Sequence, residues 1–189
     1  MAHGLGSDRF SPDKGDFGVN ELHETIRGGE RVLIRRARPE DMALYPDFLR
    51  NVSAEDQRLR FFGRITEIEA AEMDRLTKLD YRHEMAFVAL GEDTGHMLGL
   101  VRLIDELDEE TAQFAILIRS GLKGHGLGWL LMQRVIDYAK EKDLRRVYGD
   151  VLAENATMLQ MCAELGFYVQ DIGSDIRRVV LDLKNVRTQ

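Results

Sequence analysis

Apolar positions follow two different rhythms along this 189-residue chain. Between Met85 and Ile118 they form three short runs, Met85 to Leu90, Met97 to Ile104 and Ala112 to Ile118. The polar turns Gly91-Glu-Asp-Thr-Gly95 and Asp105 to Glu110 separate them. Runs of this length bounded by turn residues predict strands, and connections this short predict an antiparallel meander. From Leu127 the spacing becomes helical: Leu127, Leu130, Leu131, Val135, Tyr138 and Ala139 share one face, and Gln133, Arg134, Asp137, Lys140 and Glu141 the other. A strand over Arg146 to Leu152 follows, then a helix over Asn155 to Leu165 closed by Gly166, then strands near Phe167 to Val169 and Ile176 to Leu183.

Upstream, Arg31 to Ala37 reads as a strand. Pro39-Glu40-Asp41 opens a helix near Met42 to Asn51, with proline in the first turn and acids at the positive end of the dipole. Ser53 and Thr66 are N-caps in pattern, the first for a helix Ala54 to Phe61, the second for Glu67 to Leu79. Residues 1 to about 28, rich in Gly, Asp and Ser, read as a flexible or peripheral arm with a short helix around Glu21 to Arg27, which leaves 29–189 as one domain.

Composition narrows the function classes. The formal charge of -7 argues against nucleic-acid binding by phosphate neutralisation. The single cysteine, Cys162, rules out an intramolecular disulfide, and no Cys/His cluster has metal-site spacing, so no metal is expected. No apolar stretch approaches the roughly 20 residues that span a bilayer, so neither membrane insertion nor export is expected and a cytoplasmic setting is the default.

The chemistry concentrates at Lys123-Gly-His-Gly-Leu-Gly128, between a strand and the first turn of a helix. Backbone amides there lack intrahelical partners and the dipole favours negative charge, a geometry suited to a pyrophosphate. Glycine keeps side chains away from the phosphate oxygens and permits positive φ. One rival is a flexible loop. A second is a dinucleotide fold, with Gly124-x-Gly126 as a partial fingerprint and Asp150 at the spacing of a ribose-binding acid. Against it, Trp129 occupies the third glycine position, and the upstream strands form a meander where alternating strands and helices would be needed.

From Val32 to about Leu183 the chain resembles the GNAT superfamily of N-acetyltransferases, whose Q/R-x-x-G-x-G/A signature reads Lys123-x-x-Gly126-x-Gly128 here, with Asn155 followed eleven residues later by Gly166-Phe167. The stretches Leu33 to Asp41, Arg58 to Phe62 and Gly149 to Asn155 are most similar to the acetyltransferase module of bacterial protein-lysine acetyltransferases. The resemblance implies a mixed α/β fold, a splayed mixed sheet of about six to seven strands flanked by helices, with the pantetheine arm of acetyl-CoA between the strands ending near Ile118 and Leu152. It further implies that backbone groups of Ile116, Leu117 and Ile118 pair with that arm. The amides of Lys123, Gly124, His125, Gly126, Leu127 and Gly128 would hold the pyrophosphate, and Asn155 would stand near the thioester.

The implied reaction is acetyl transfer to a primary amine such as a protein lysine, which needs a proton acceptor for the amine. Where related enzymes carry a glutamate base this chain has Gln113, an amide with no proton-accepting role near neutral pH. Asp150 is the preferred base, with Glu154 as a backup. The tyrosine that many relatives place seven residues after the Asn is Cys162 here, read as a buried thiol. Phe61-Phe62 read as core, although the corresponding region lines the acceptor entrance in relatives. A non-catalytic acyl-CoA-binding module that has lost its base is the alternative function. The acids of Asp105 to Glu110 suggest a cationic acceptor or a solvated turn, and the oligomeric state stays open, a homodimer through edge strands being one arrangement.

Overall fold

The computed structural model describes residues 21–62, 81–108, 110–173 and 175–183. Among these residues eight strands form one mixed sheet: β1 (Leu22–Thr25), β2 (Arg31–Arg36), β3 (Glu84–Gly91), β4 (Met97–Asp105), β5 (Thr111–Ile118), β6 (Arg146–Leu152), β7 (Tyr168–Asp171) and β8 (Ile176–Asp182), in the order β1-β2-β3-β4-β5-β6-β8-β7. The meander β3-β4-β5 is antiparallel as its short turns require. One pair is parallel, β5 with β6, because the helix α3 (Leu127–Glu141) carries the chain back before β6 begins.

The helix α1 (Tyr45–Arg50) and the 3-10 turn before it pack on one face of the sheet, where Met42, Tyr45, Phe48, Val52 and Phe61 meet Ala86, Val88, Leu100 and Leu117. On the other face α3 buries Leu127, Leu131, Met132, Val135 and Ala139 against Phe87, Val101, Leu103 and Val147. The helix α4 (Ala156–Glu164) adds Cys162 to this second core. The helix α2 (Ala54–Phe61) starts at Ser53, whose Oγ accepts from the amide of Asp56 at 3.1 Å, as the N-cap pattern predicts.

Two expectations are corrected. The segment around Glu21 to Arg27 is the strand β1, paired antiparallel with β2 from Leu22↔Ile34 to Thr25↔Arg31, and it brings the sheet to eight strands. A helix of that length has too little internal bonding to compete with an open sheet edge. The single helix expected over Met42 to Asn51 is a 3-10 turn, Pro39–Leu44, followed by α1, because Pro46 lies in the first turn of α1 and interrupts a continuous ladder. The helix expected over Glu67 to Leu79, with its cap Thr66, lies outside the described residues. Among the described residues no helix is long and apolar enough to cross a membrane.

Candidate active site

The parallel pairing of β5 and β6 lasts for three positions, Thr111↔Arg146, Ala112↔Val147 and Gln113↔Tyr148. At the next position of each strand stand Phe114 and Gly149, and a Cβ on Gly149 would lie 2.4 Å from Cζ of the Phe114 ring. The ring, stacked edge-on to Phe167 with centroids 5.5 Å apart, takes the space a side chain would need. Beyond this point the strands part and a cavity of about 950 Å³ opens between them.

At the end of β5 the chain makes a 3-10 turn, Ser120–Leu122, and enters the glycine-rich segment. Gly126 is the N-cap of α3, at φ 92°, and no side chain caps the helix. The first amides of α3 therefore have no carbonyl within the helix and no capping side chain. Lys123, Gly124, His125, Gly126 and Gly128 line the cavity, and so do Ile116, Leu117 and Ile118. Leu127 does not: its side chain is fully buried in the core under α3. Trp129, the residue that argued against a dinucleotide fingerprint, also lines the cavity.

On the opposite lip, Asp150 and Asn155 line the same space. Asp150 receives two hydrogen bonds from Arg178 of β8, Nε to Oδ1 at 2.8 Å and Nη2 to Oδ2 at 2.9 Å, and Arg178 also lies over the Tyr148 ring. Asn155 uses Oδ1 to accept from the amide of Met158 at 3.2 Å and so caps α4. Gln113 lines the cavity from β5. Glu154 is elsewhere, in an ion pair with Arg58 at 2.8 Å that, with Arg58 donating a hydrogen bond, holds its carboxyl below the usual range. Cys162 is buried, outside the cavity lining, and burial pushes its thiol up to about 12.

Several site residues escaped sequence reasoning. Asp56 of α2 lines the cavity and takes hydrogen bonds from Nζ of Lys123 and Oγ of Ser120. Burial disfavours its charge, yet the bonds from Lys123, Ser120 and Ser53 prevail and hold its carboxyl below the ordinary value. Through the Asp56–Lys123 and Arg58–Glu154 pairs, α2 reaches both lips of the splay. Its last residues divide their roles: Phe61 is core, whereas Phe62, at φ 53°, turns toward the cavity. Arg102 of β4, only 3% exposed, also lines the cavity and bonds Glu84 of β3 through Nε at 2.7 Å. A lone charge inside the apolar run Met97 to Ile104 was its one sequence signal.

The acidic turn is engaged with its own surroundings. Asp105 pairs with Lys142, Glu106 accepts from the Tyr148 hydroxyl, and Asp108 accepts from the amides of Glu110 and Thr111 at 3.0 and 2.8 Å. Asp108 thereby ties the turn to the start of β5, while Asp105 and Glu106 tie it to Lys142 and to Tyr148 of β6.

Residues 49–167 match the acetyltransferase (GNAT) family. An acetyltransferase of Pseudomonas aeruginosa is 33% identical over 176 residues, covering 92% of both chains. Among solved structures, the GNAT domain of S. lividans PAT superposes with a TM-score of 0.76 at 22% identity, over 86% of this chain and 97% of that one. The spermidine N-acetyltransferase of Vibrio cholerae, solved with CoA and spermine, gives 0.65 at 21% identity, over 80% and 95%.

Proposed function

Because the chain belongs to the GNAT acetyltransferase family, we propose that it moves an acetyl group from acetyl-CoA to a primary amine, held between the parted ends of β5 and β6. The observation that carries this reading is the splay itself: a cavity flanked by strand edges and ending on a helix N-terminus that no side chain caps. CoA fits what is there. A long thin arm needs backbone partners, which β5 offers beyond Gln113, and a pyrophosphate needs convergent amides, which Gly126 to Gly128 offer.

Acetyl-CoA, when bound, supplies a thioester carbonyl open to attack by a neutral amine. The amides at the start of α3 hold the anionic end and favour it through the dipole. The β5 backbone beyond Gln113 is free of β6 and offers donors to a carbonyl oxygen that would lie in the splay. Asp150 accepts the proton of the amine, and the fork from Arg178 fixes the direction in which its remaining lone pairs point. Gln113 stays neutral and contributes hydrogen bonds only. Cys162, buried behind the site, passes no proton into it. The acceptor is a primary amine, a protein lysine or a small molecule, and among the neighbours in structure is a spermidine N-acetyltransferase.

Calorimetric titration with acetyl-CoA, CoA and NAD, for the wild type and Gly126→Glu, tests the first half of this. Binding of both CoA species, absent in Gly126→Glu and absent for NAD, supports it. CoA binding that survives Gly126→Glu, or none in the wild type, sinks it. Release of free CoA in the presence of a panel of amines tests the second half.

A further inference from the structure

The β1–β2 hairpin lies outside residues 49–167, the part of the chain that matches the family, yet it forms one wall of the cavity through Glu24, Thr25, Ile26 and Arg27. Ile26, 4% exposed, anchors the hairpin in the core beneath α3. Its turn is tied off by the amides of Ile26 and Gly29, which donate to Glu30 and Ile26 at 3.0 Å each. The neighbouring Arg27 amide donates to the carbonyl of His125 at 3.0 Å. Gly28 packs against the His125 ring, where an added Cβ would come within 3.4 Å. The backbone of Arg27 is thus fixed on the rim of the phosphate turn by contacts that owe nothing to its side chain.

The cations around the cavity differ in what they hold. Lys123 is paired with Asp56, and Arg102 with Glu84. Arg60 lies over the Phe61 ring at 5.0 Å. Arg27 is exposed, and among the described residues its guanidinium meets no acid, carbonyl or ring. A guanidinium fork without an acidic partner beside an anion cradle is matched in charge and geometry to a phosphate monoester.

We propose that Arg27 binds the 3′-phosphate of CoA, so that the N-terminal hairpin reads a group separate from the pyrophosphate held by the α3 amides. This rests on the reading of the cavity as a CoA site. The amides of Gly126 to Gly128 account for the pyrophosphate; the ribose beyond it carries the one remaining phosphate, and Arg27 lines the same cavity, bonded through its own amide to His125, the residue before that cradle. The assignment makes Arg27 a specificity residue that distinguishes CoA from its precursor lacking the 3′-phosphate.

The test is a thermodynamic cycle: calorimetric affinities of CoA and 3′-dephospho-CoA for the wild type, Arg27→Ala and Arg27→Lys. The wild type should prefer CoA by about tenfold or more, and Arg27→Ala should lose that preference while binding dephospho-CoA as the wild type does. Arg27→Lys should keep part of it, since a point charge replaces a fork. Equal losses for both ligands in Arg27→Ala, or no loss for either, overturns the assignment and leaves the CoA reading intact. A wild type that binds neither ligand removes both. Thermal melts of the three proteins should coincide, because the exposed side chain holds no hydrogen bond or ion pair among the described residues.

Discussion

Asp150 and Arg178 face each other directly across β6 and β8, in register, and both carboxylate oxygens accept from the guanidinium. The acid proposed as proton acceptor is therefore held in one orientation by a residue of the neighbouring strand, and the ring of Tyr148 supports that residue from below.

Asp150→Asn should reduce kcat by about 10²- to 10⁴-fold while leaving the affinity for acetyl-CoA nearly unchanged. Arg178→Lys keeps the charge but loses the fork, and kcat should fall by about tenfold with little change in KM for acetyl-CoA. Steady-state kinetics beside calorimetry separates these cases. A fully active Asp150→Asn enzyme would move the search for the base to other groups lining the cavity.

Gly149→Ala should destabilise the protein by about 1–3 kcal/mol, because the new methyl would meet the Phe114 ring at a distance no packed pair tolerates. Chemical denaturation of Gly149→Ala, Phe114→Leu and the double variant gives the coupling. The double variant should be less destabilised than the two singles predict, and strict additivity would show that the ring does not occupy that space.

The Asp56 carboxyl lies below its ordinary value of 3.8 in the folded chain, so its contribution to stability is complete above that pH and disappears as pH falls through the lower folded value. Asp56→Asn should melt at a lower temperature than the wild type near pH 7, and the gap should narrow below about pH 4. A gap that stays constant through acid would mean that the charge of Asp56, and with it the tie to Lys123, contributes nothing.

Cys162, with its thiol raised to about 12 by burial, should resist a thiol reagent in the native state and react at once in denaturant. Cys162→Ala should keep kcat within about twofold, since a group outside the cavity delivers no proton, and should cost stability through a small void. A large drop in kcat at unchanged stability would give the thiol a part in the chemistry.

Much of this arrangement was legible in the chain. Ser53 marked the start of α2, the turns at Gly91 and Asp105 marked the meander, and the glycines at 124, 126 and 128 marked the turn into α3, because each records a local backbone demand in its own residue type. What escaped depends on partners distant in sequence. β1 is a strand only because β2 offers it an edge, and His23 and Glu24 carry no apolar alternation. Arg102 is a cavity residue because Glu84, on another strand, makes its burial tolerable. Asp56 looks like a first-turn helix acid until Lys123, 67 residues later, is brought onto it. Glu154 looks like a candidate base until Arg58 takes it.

The three-rung contact between β5 and β6 has a consequence for what can add to this sheet. Where the strands part, each presents unpaired backbone groups, and such an edge on the outside of a protein is a template on which another chain can add a strand. Here the edge is opened in the interior of the sheet, with α2 touching both strands on one face and the core under α3 on the other. A thin ligand can enter and pair with it, whereas a second polypeptide, with side chains on both faces, would have to displace α2. The same wedge of Phe114 against Gly149 that makes room for a ligand thereby confines strand addition to a guest too slender to seed aggregation.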